Sequence, residues 1–159
     1  MNNGSVDLNI SGHIATLLIN RPEKLNALTP EMLEELAGHC RLLETNTDVR
    51  VVVLKSASPK VFCVGADITR WNALTPLDMW RTWIRRGHQI FDALAGLPQP
   101  VIALMNGLSY GGGAGACGRR RYPHLYSERK NGTAGNRSGY STRLVGFTAP
   151  DPTGWRAAC

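Results

Sequence analysis

The stretch Pro100–Gly113, PVIALMNGLSYGGG, limits the fold more than any other. Val101–Met105 is an apolar run with the length and composition of a buried strand. It breaks at the turn signal Asn106-Gly107 and closes on three glycines, Gly111, Gly112 and Gly113. Glycines after a buried strand suit a place where something approaches the backbone itself, because no Cβ stands in the way. If a helix starts there, its first N–H groups lack internal partners and offer a site to an anion or a polarised carbonyl oxygen. A flexible glycine turn is the plainer alternative. A second pair of the same kind follows the apolar run Val51–Leu54: FCVGADI at Phe62–Ile68, where Gly65-Ala66 can again present a backbone N–H.

Around these pairs the periodicity predicts an α/β chain. Val6–Ile10 alternates as a half-buried strand, Ser11-Gly12 turns, and His13–Ile19 returns, which predicts a hairpin. His13 at the strand start reads as a solvated polar residue rather than a catalytic base. Asn20–Leu28 is a loop, with Pro22 blocking helix or ladder; its Arg21 and Lys24 form a two-charge cluster. Thr29-Pro30-Glu31 is a helix start: a hydroxyl cap, proline at the first position and an acid near the positive end of the dipole. Met32, Leu33, Leu36, Cys40 and Leu43 then mark one face, and Thr45–Asp48 ends the helix. Arg50–Ser56 is the next strand; its continuous VVVL core predicts cover on both faces. Thr75-Pro76 starts a second helix, with Asp78 closing a capping box. That helix runs to about Leu94 with Trp80, Trp83, Ile84, Gly87, Ile90, Phe91 and Leu94 on one face. The order strand, helix, strand, helix, strand argues a largely buried sheet.

The net charge of +6 is not a property of the whole chain. Residues 1–117 carry ten basic and ten acidic side chains, whereas residues 118–159 carry eight basic and two acidic ones. The segment 118–159 also loses both the 3.6 and the 2.0 period, and is expected to be irregular. Its composition resembles an out-of-frame reading of a GC-rich gene from near Ala114; a genuine divergent C-terminus is the alternative. The two parts divide as 1–117 and 118–159. Gly113–Gly118 fits G-x-G-x-x-G, but no strand runs straight into it, no apolar helix follows and no acid lies at the required distance, so a dinucleotide site is rejected. Arg119–Tyr126 mixes basic and aromatic residues, a weak nucleic-acid signal without a fold to present it. Cys40, Cys63, Cys117 and Cys159 have no metal-ligand spacing, and Cys40 falls on an apolar helix face as a core thiol. With no signal peptide and no membrane-spanning run, the expected location is cytoplasmic.

FCVGADI, NGLSYGGG and NRPEKLNAL at Asn20–Leu28 together resemble, in order and spacing, the enoyl-CoA hydratase/isomerase (crotonase) family. The resemblance runs from about Val6 to Ala114. It implies the crotonase-like (ClpP/crotonase) fold of repeated ββα units, here incomplete, and acyl-CoA thioester as substrate, as in fatty-acid β-oxidation. Coenzyme A is then part of the substrate, and neither a separate cofactor nor a metal is expected. By position, the backbone N–H groups of Ala66 and Gly112 form an oxyanion hole for an enolate-like state. Lys24, Ala27, Asp67, Ile68 and Thr69 line the coenzyme pocket, with Arg21 and Lys24 near the phosphates. The first of the family's two acid–base glutamates falls at Gly115, which has no side chain, and the second lies where the resemblance has ended. The family assembles as homotrimers or hexamers through C-terminal helices that this chain is expected to lack. Neither nucleic acid nor membrane is an expected partner. The alternatives are a catalytically inactive acyl-CoA-binding remnant and, third, a basic nucleic-acid-binding protein.

Overall fold

The computed structural model describes residues 4–70, 74–105, 107–109 and 124–126. The chain divides into two compact units, Met1–Glu128 and Arg129–Cys159, and every described residue belongs to the first.

Strands β1 (Ser5–Ser11) and β2 (Ile14–Asn20) form the expected antiparallel hairpin, in register from Ser5↔Asn20 to Ser11↔Ile14. Gly12 turns it with φ +55°, a conformation that favours glycine. His13 belongs to this turn rather than to the strand. It is exposed, and its Nδ1 donates to the Asp48 carbonyl oxygen at 2.7 Å, which fixes the tautomer and ties the hairpin to the connection after the first helix.

Helix α1 (Pro30–Glu44) starts where the cap signal places it: Thr29 Oγ1 accepts from the Met32 N–H at 3.3 Å. Met32, Leu33, Leu36, Ala37, Cys40 and Leu43 are buried on its inner face, as the spacing predicts. Burial pushes the Cys40 thiol up to about 11, so it stays protonated and unreactive. The outer edge of β1, which would otherwise show unpaired backbone groups to water, is covered at Val6 from α1. Glu35 Oε2 accepts from the Val6 N–H at 2.7 Å, and His39 Nε2 donates to the Val6 carbonyl at 2.7 Å.

Strand β3 (Val51–Ser56) lies between β2 and β5 (Val101–Leu104) and is parallel to both. The five-stranded sheet has the order β1-β2-β3-β5-β7, where β7 is His124–Tyr126. Val52 and Leu54 are buried, but Val51 and Val53 are only half-buried, so the expectation that both faces are closed is corrected. Both helices contribute to one core cluster, and the residues that alternate onto the opposite face have less cover. Strand β7 (His124–Tyr126) pairs in parallel with β5, from Ile102↔His124 to Leu104↔Tyr126. This corrects the expectation of an irregular 118–159 at these three positions. The open edge of β5 offers a row of hydrogen-bonding groups that even a short extended segment satisfies. The rest of that segment, like Gly111–Gly113 and Gly115, lies outside the described residues.

The second helix is a composite: α2 (Pro76–Asp78), a π-helical stretch Met79–Arg85, and α3 (Arg86–Ala95). Thr75 caps it by accepting from the Asp78 N–H at 3.2 Å, while the Asp78 carboxylate takes the Thr75 hydroxyl at 2.7 Å. Gly87, Ile90 and Leu94 are buried as expected, Trp83 and Phe91 pack against the core, and Trp80 is 55% exposed. The regular spacing predicts Trp80 on the buried face. The wider i→i+5 turns of the π segment rotate its first residues, Trp80 among them, out of register with α3, which places Trp80 outside.

A second sheet pairs β4 (Val61–Cys63) with β6 (Leu108–Ser109) in parallel. The chain thus repeats a pattern: β1-β2-α1, then β3-β4 and the composite helix, then β5-β6. Among the described residues no helix is long and apolar enough to cross a membrane, and no three side chains form a metal-binding group.

Candidate active site

The Asn20–Leu28 loop is not simply irregular. Pro22–Lys24 makes one 3-10 turn, and Leu25 (φ +52°) and Asn26 (φ +56°) follow in the left-handed region. Asparagine tolerates that region better than leucine does. The reversal brings the Asn26 N–H onto the Arg21 carbonyl at 2.9 Å and the Ala27 N–H onto the Lys24 carbonyl at 2.9 Å. The Asn26 side chain, 0% exposed, accepts from the Arg21 N–H at 2.9 Å and donates to the Val61 carbonyl at 3.1 Å. It therefore fastens the loop to the first residue of β4.

After β4 the chain turns at Gly65, whose φ of +101° few residues with a Cβ adopt. Ala66 then forms an isolated parallel bridge with Leu28. The Leu28 N–H donates to the Gly65 carbonyl at 2.7 Å, and the Leu28 carbonyl accepts from the Asp67 N–H at 2.8 Å. In such a bridge the residue between those two bonds turns its own N–H and C=O away from the partner. The Ala66 N–H therefore points away from the loop, on a half-buried residue, and no acceptor among the described residues takes it.

Asp67 and Arg21 meet beneath this donor. Arg21 Nη1 donates to Asp67 Oδ2 at 2.8 Å and to the Ala27 carbonyl at 3.1 Å; the two side chains are 8% and 10% exposed. The other carboxylate oxygen accepts from the Thr69 hydroxyl at 2.6 Å and the Thr69 N–H at 3.1 Å. The Thr69 hydroxyl first, and then the Arg21 guanidinium, hold the Asp67 carboxyl at about 2, against the opposing cost of burial. Arg21 is thus engaged inside the protein, and the expected two-charge cluster leaves Lys24 as its exposed member.

Of the other expected site residues, Ala27 is buried beside Leu28, and Ile68 and Thr69 are exposed on the turn Ile68–Arg70. Asp67 faces inward, and Gly112 lies outside the described residues. The strand leading to Gly112 is nevertheless placed. Val61 pairs with Leu108 and Cys63 with Ser109, so β4 and β6 leave their sheet in the same direction. Ala66 follows Cys63 by three residues, and Gly112 follows Ser109 by three. The approach demands a glycine at 107, where a Cβ would stand 2.0 Å from the Lys60 carbonyl oxygen. Sequence reasoning missed the Arg21–Asp67 pair and the role of Asn26. Asparagine in a loop signals left-handed backbone but not its partner, which in this case is the carbonyl of Val61.

The sequence model of the family described as Enoyl-CoA hydratase/isomerase matches residues 14–123, starting after Val6, where the resemblance begins, and running past Ala114. The (E)-benzylidenesuccinyl-CoA hydratase of Thauera aromatica is 37% identical over 108 residues, covering 68% of this chain and 41% of that protein. The short-chain-enoyl-CoA hydratase of Clostridium acetobutylicum is 36% identical over 109 residues, covering 69% and 41%. The chain therefore spans about two-fifths of these relatives' length. Among solved structures, an enoyl-CoA hydratase from Bacillus anthracis superposes with a TM-score of 0.65 at 31% identity, over 72% of this chain and 44% of that one. A crystal structure of a protein described as an enoyl-CoA hydratase from Streptomyces coelicolor A3(2) gives 0.68 at 27% identity, over 77% and 44%. With a match across most of its described residues and the fold of its solved relatives, the chain belongs to the enoyl-CoA hydratase/isomerase family.

Proposed function

We propose that this chain binds acyl-CoA thioesters and polarises the thioester carbonyl, the enolate-stabilising half of enoyl-CoA hydratase/isomerase chemistry. The observation that carries the reading is the Ala66 N–H, turned outward by the Leu28 bridge and unclaimed among the described residues. The second donor is the N–H of Gly112, which follows β6 by three residues in the sequence as Ala66 follows β4, the two strands being a parallel pair. Each preorganised donor of this kind contributes about 3–4 kcal/mol to a developing oxyanion. Lys24 serves the phosphates as a mobile point charge. Ala27, Asp67, Ile68 and Thr69 form or support the wall of the coenzyme pocket. Two buried cysteines without a disulfide between them, Cys40 and Cys63, fit the proposed cytoplasmic location.

The proton-transfer half needs side chains that donate and accept protons, and at the position the family resemblance assigns to the first glutamate this sequence has Gly115. The chain is therefore an acyl-CoA binder without hydratase turnover, and the segment from near Ala114 is an out-of-frame reading of a sequence that encoded that glutamate. Titration calorimetry with crotonyl-CoA, and the decay of its enoyl absorbance, test the two parts separately. Saturable binding without decay is the expected result. Absence of binding overturns the acyl-CoA reading, and turnover at ordinary enzyme rates overturns the inactivity. The nucleotide sequence from codon 114 tests the frame: one of the other two frames is expected to encode a glutamate at codon 115, followed by an amphipathic helix.

A further inference from the structure

We propose that the buried Arg21–Asp67 pair is a positioning device: it sets the direction of the Ala66 N–H by locking together the two loops whose bridge turns that donor outward. The inference rests on the acyl-CoA reading above and adds two residues that act through the backbone.

The Leu28–Ala66 contact is an isolated bridge with two hydrogen bonds, at 2.7 and 2.8 Å, and no ladder on either side to hold its register. The nearest further backbone contact, from the Val64 N–H to the Leu25 carbonyl, is 3.3 Å long. Two loops joined so sparsely would slide or twist, and the Ala66 N–H would swing with them. The Arg21 guanidinium prevents this from a single nitrogen. Its Nη1 holds the carbonyl of Ala27, the neighbour of Leu28, and the carboxylate of Asp67, the neighbour of Ala66. Each bridge partner is therefore pinned through the residue beside it. The carboxylate cannot rotate to follow a moving loop, because Thr69 occupies its other oxygen with both hydroxyl and N–H. On the opposite flank Asn26 ties the same loop to Val61. Burial of both charged side chains keeps water from competing for these bonds. A pair used only for stability could sit anywhere on the two loops, whereas this one joins the two residues that flank the bridge.

The test uses the full chain with Arg21→Met, Asp67→Asn and Thr69→Val. Thr69 is exposed, so its variant keeps the fold even if Arg21→Met does not. Two readouts are taken: amide hydrogen exchange in the free protein, and the infrared carbonyl band of bound crotonyl-CoA carrying 13C at the thioester. Exchange at the Leu28 and Asp67 amides should rise in the Arg21 and Asp67 variants about tenfold or more beyond the change at the Val52 amide in the sheet, which follows global stability, and by less in Thr69→Val. At saturating ligand, the displacement of the carbonyl band seen with the unaltered protein should shrink in the same order. A merely structural pair would alter stability and leave the band of the bound thioester where it was. Variants that retain both the exchange rates and the band displacement overturn the positioning role alone. An unaltered protein that binds crotonyl-CoA without displacing the band overturns the acyl-CoA reading, and the inference with it.

Discussion

The α1–sheet seam and the pair of loops at Ala66 are both buried, by opposite means. The seam is apolar and periodic: Met32 and Leu43 from α1 are fully buried in one cluster with Leu17, Val52 and Leu54 from the sheet. Between the loops the buried side chains include three polar or charged ones, with Arg21, Asn26 and Asp67 all at 8% exposure or less. Apolar contacts are non-directional and leave each side chain some freedom to settle. Hydrogen bonds fix distance and direction at once. The proposed function, which depends on the orientation of one backbone N–H, is better served by the second kind of interior, and the seam supplies the platform on which it rests.

Breaking the polar interior should have the largest effect. Arg21→Met leaves the Asp67 carboxylate buried without its cation and the Ala27 carbonyl without that donor. Removing one partner of a buried pair costs about 3–5 kcal/mol, and urea unfolding should register a loss of that size. Arg21→Met with Asp67→Leu should recover a good part of it, because no charge is then left buried without a partner. A double variant no better than the single one would mean that the charge is not what is lost. In the seam, Met32→Ala should cost about 2–5 kcal/mol through lost transfer energy and an incompletely closed cavity. The comparison sharpens in their side effects: Met32→Ala should leave amide exchange at Leu28 and Asp67 nearly in proportion to global stability, and Arg21→Met should not.

The same contrast explains what could be read from the sequence. The α1 face, its Thr29 cap and the β1–β2 hairpin follow from near neighbours, at spacings set by 3.6 and 2.0 periods. Arg21 and Asp67 are 46 residues apart and Asn26 and Val61 are 35 apart, and no local pattern pairs them. The motif of glycine and alanine at 65 and 66 points to the Ala66 N–H as the proposed donor, but gives no hint of the Arg21–Asp67 pair beside it. The second helix failed in a different way. Its apolar spacing is regular, but the π stretch Met79–Arg85 adds a rotation that residue types do not encode, and Trp80 leaves the face on which counting places it. Likewise VVVL predicted a strand covered twice, and only the face that meets the helices is closed.

Acid should act on the polar interior before the seam. The native Asp67 carboxyl titrates at about 2, below its ordinary 3.8. A depressed pKa means that the folded state holds the proton less well than the unfolded chain does. Its contribution is therefore complete above pH about 4 and is lost as pH falls to about 2; at 1.36 kcal/mol per unit it is on the order of 2 kcal/mol. Glu31 and Glu34 are also lowered, by a backbone hydrogen bond and by Arg86 respectively, and share this acid limb. Asp67→Asn should be less stable at neutral pH and show a shallower fall in unfolding free energy between pH 4 and 2. An unchanged slope would place the acid sensitivity elsewhere.

The smallest effect is expected from an ion pair that looks better made than the buried one. Arg86 Nε and Nη2 meet both carboxylate oxygens of Glu34 at 2.6 Å, a bidentate pair joining α3 to α1. Geometry alone would rank it above the single contact between Arg21 and Asp67. Its side chains, however, are 38% and 53% exposed, so water solvates either partner when the pair opens. The helices are already held by Ile90 and Leu94 in the apolar cluster, with the small Gly87 facing Leu33. Glu34→Gln should therefore cost only about 0.2–1 kcal/mol. That difference should vanish near 1 M salt, where the screening length is about 3 Å. The cost of Arg21→Met, which arises where water and ions do not reach, should persist at the same salt. Chemical unfolding of the two variants at low and high salt reads both quantities. Equal salt sensitivity would mean that the Arg21–Asp67 pair is open to solvent, and the division between a directional interior and an ordinary surface would fall.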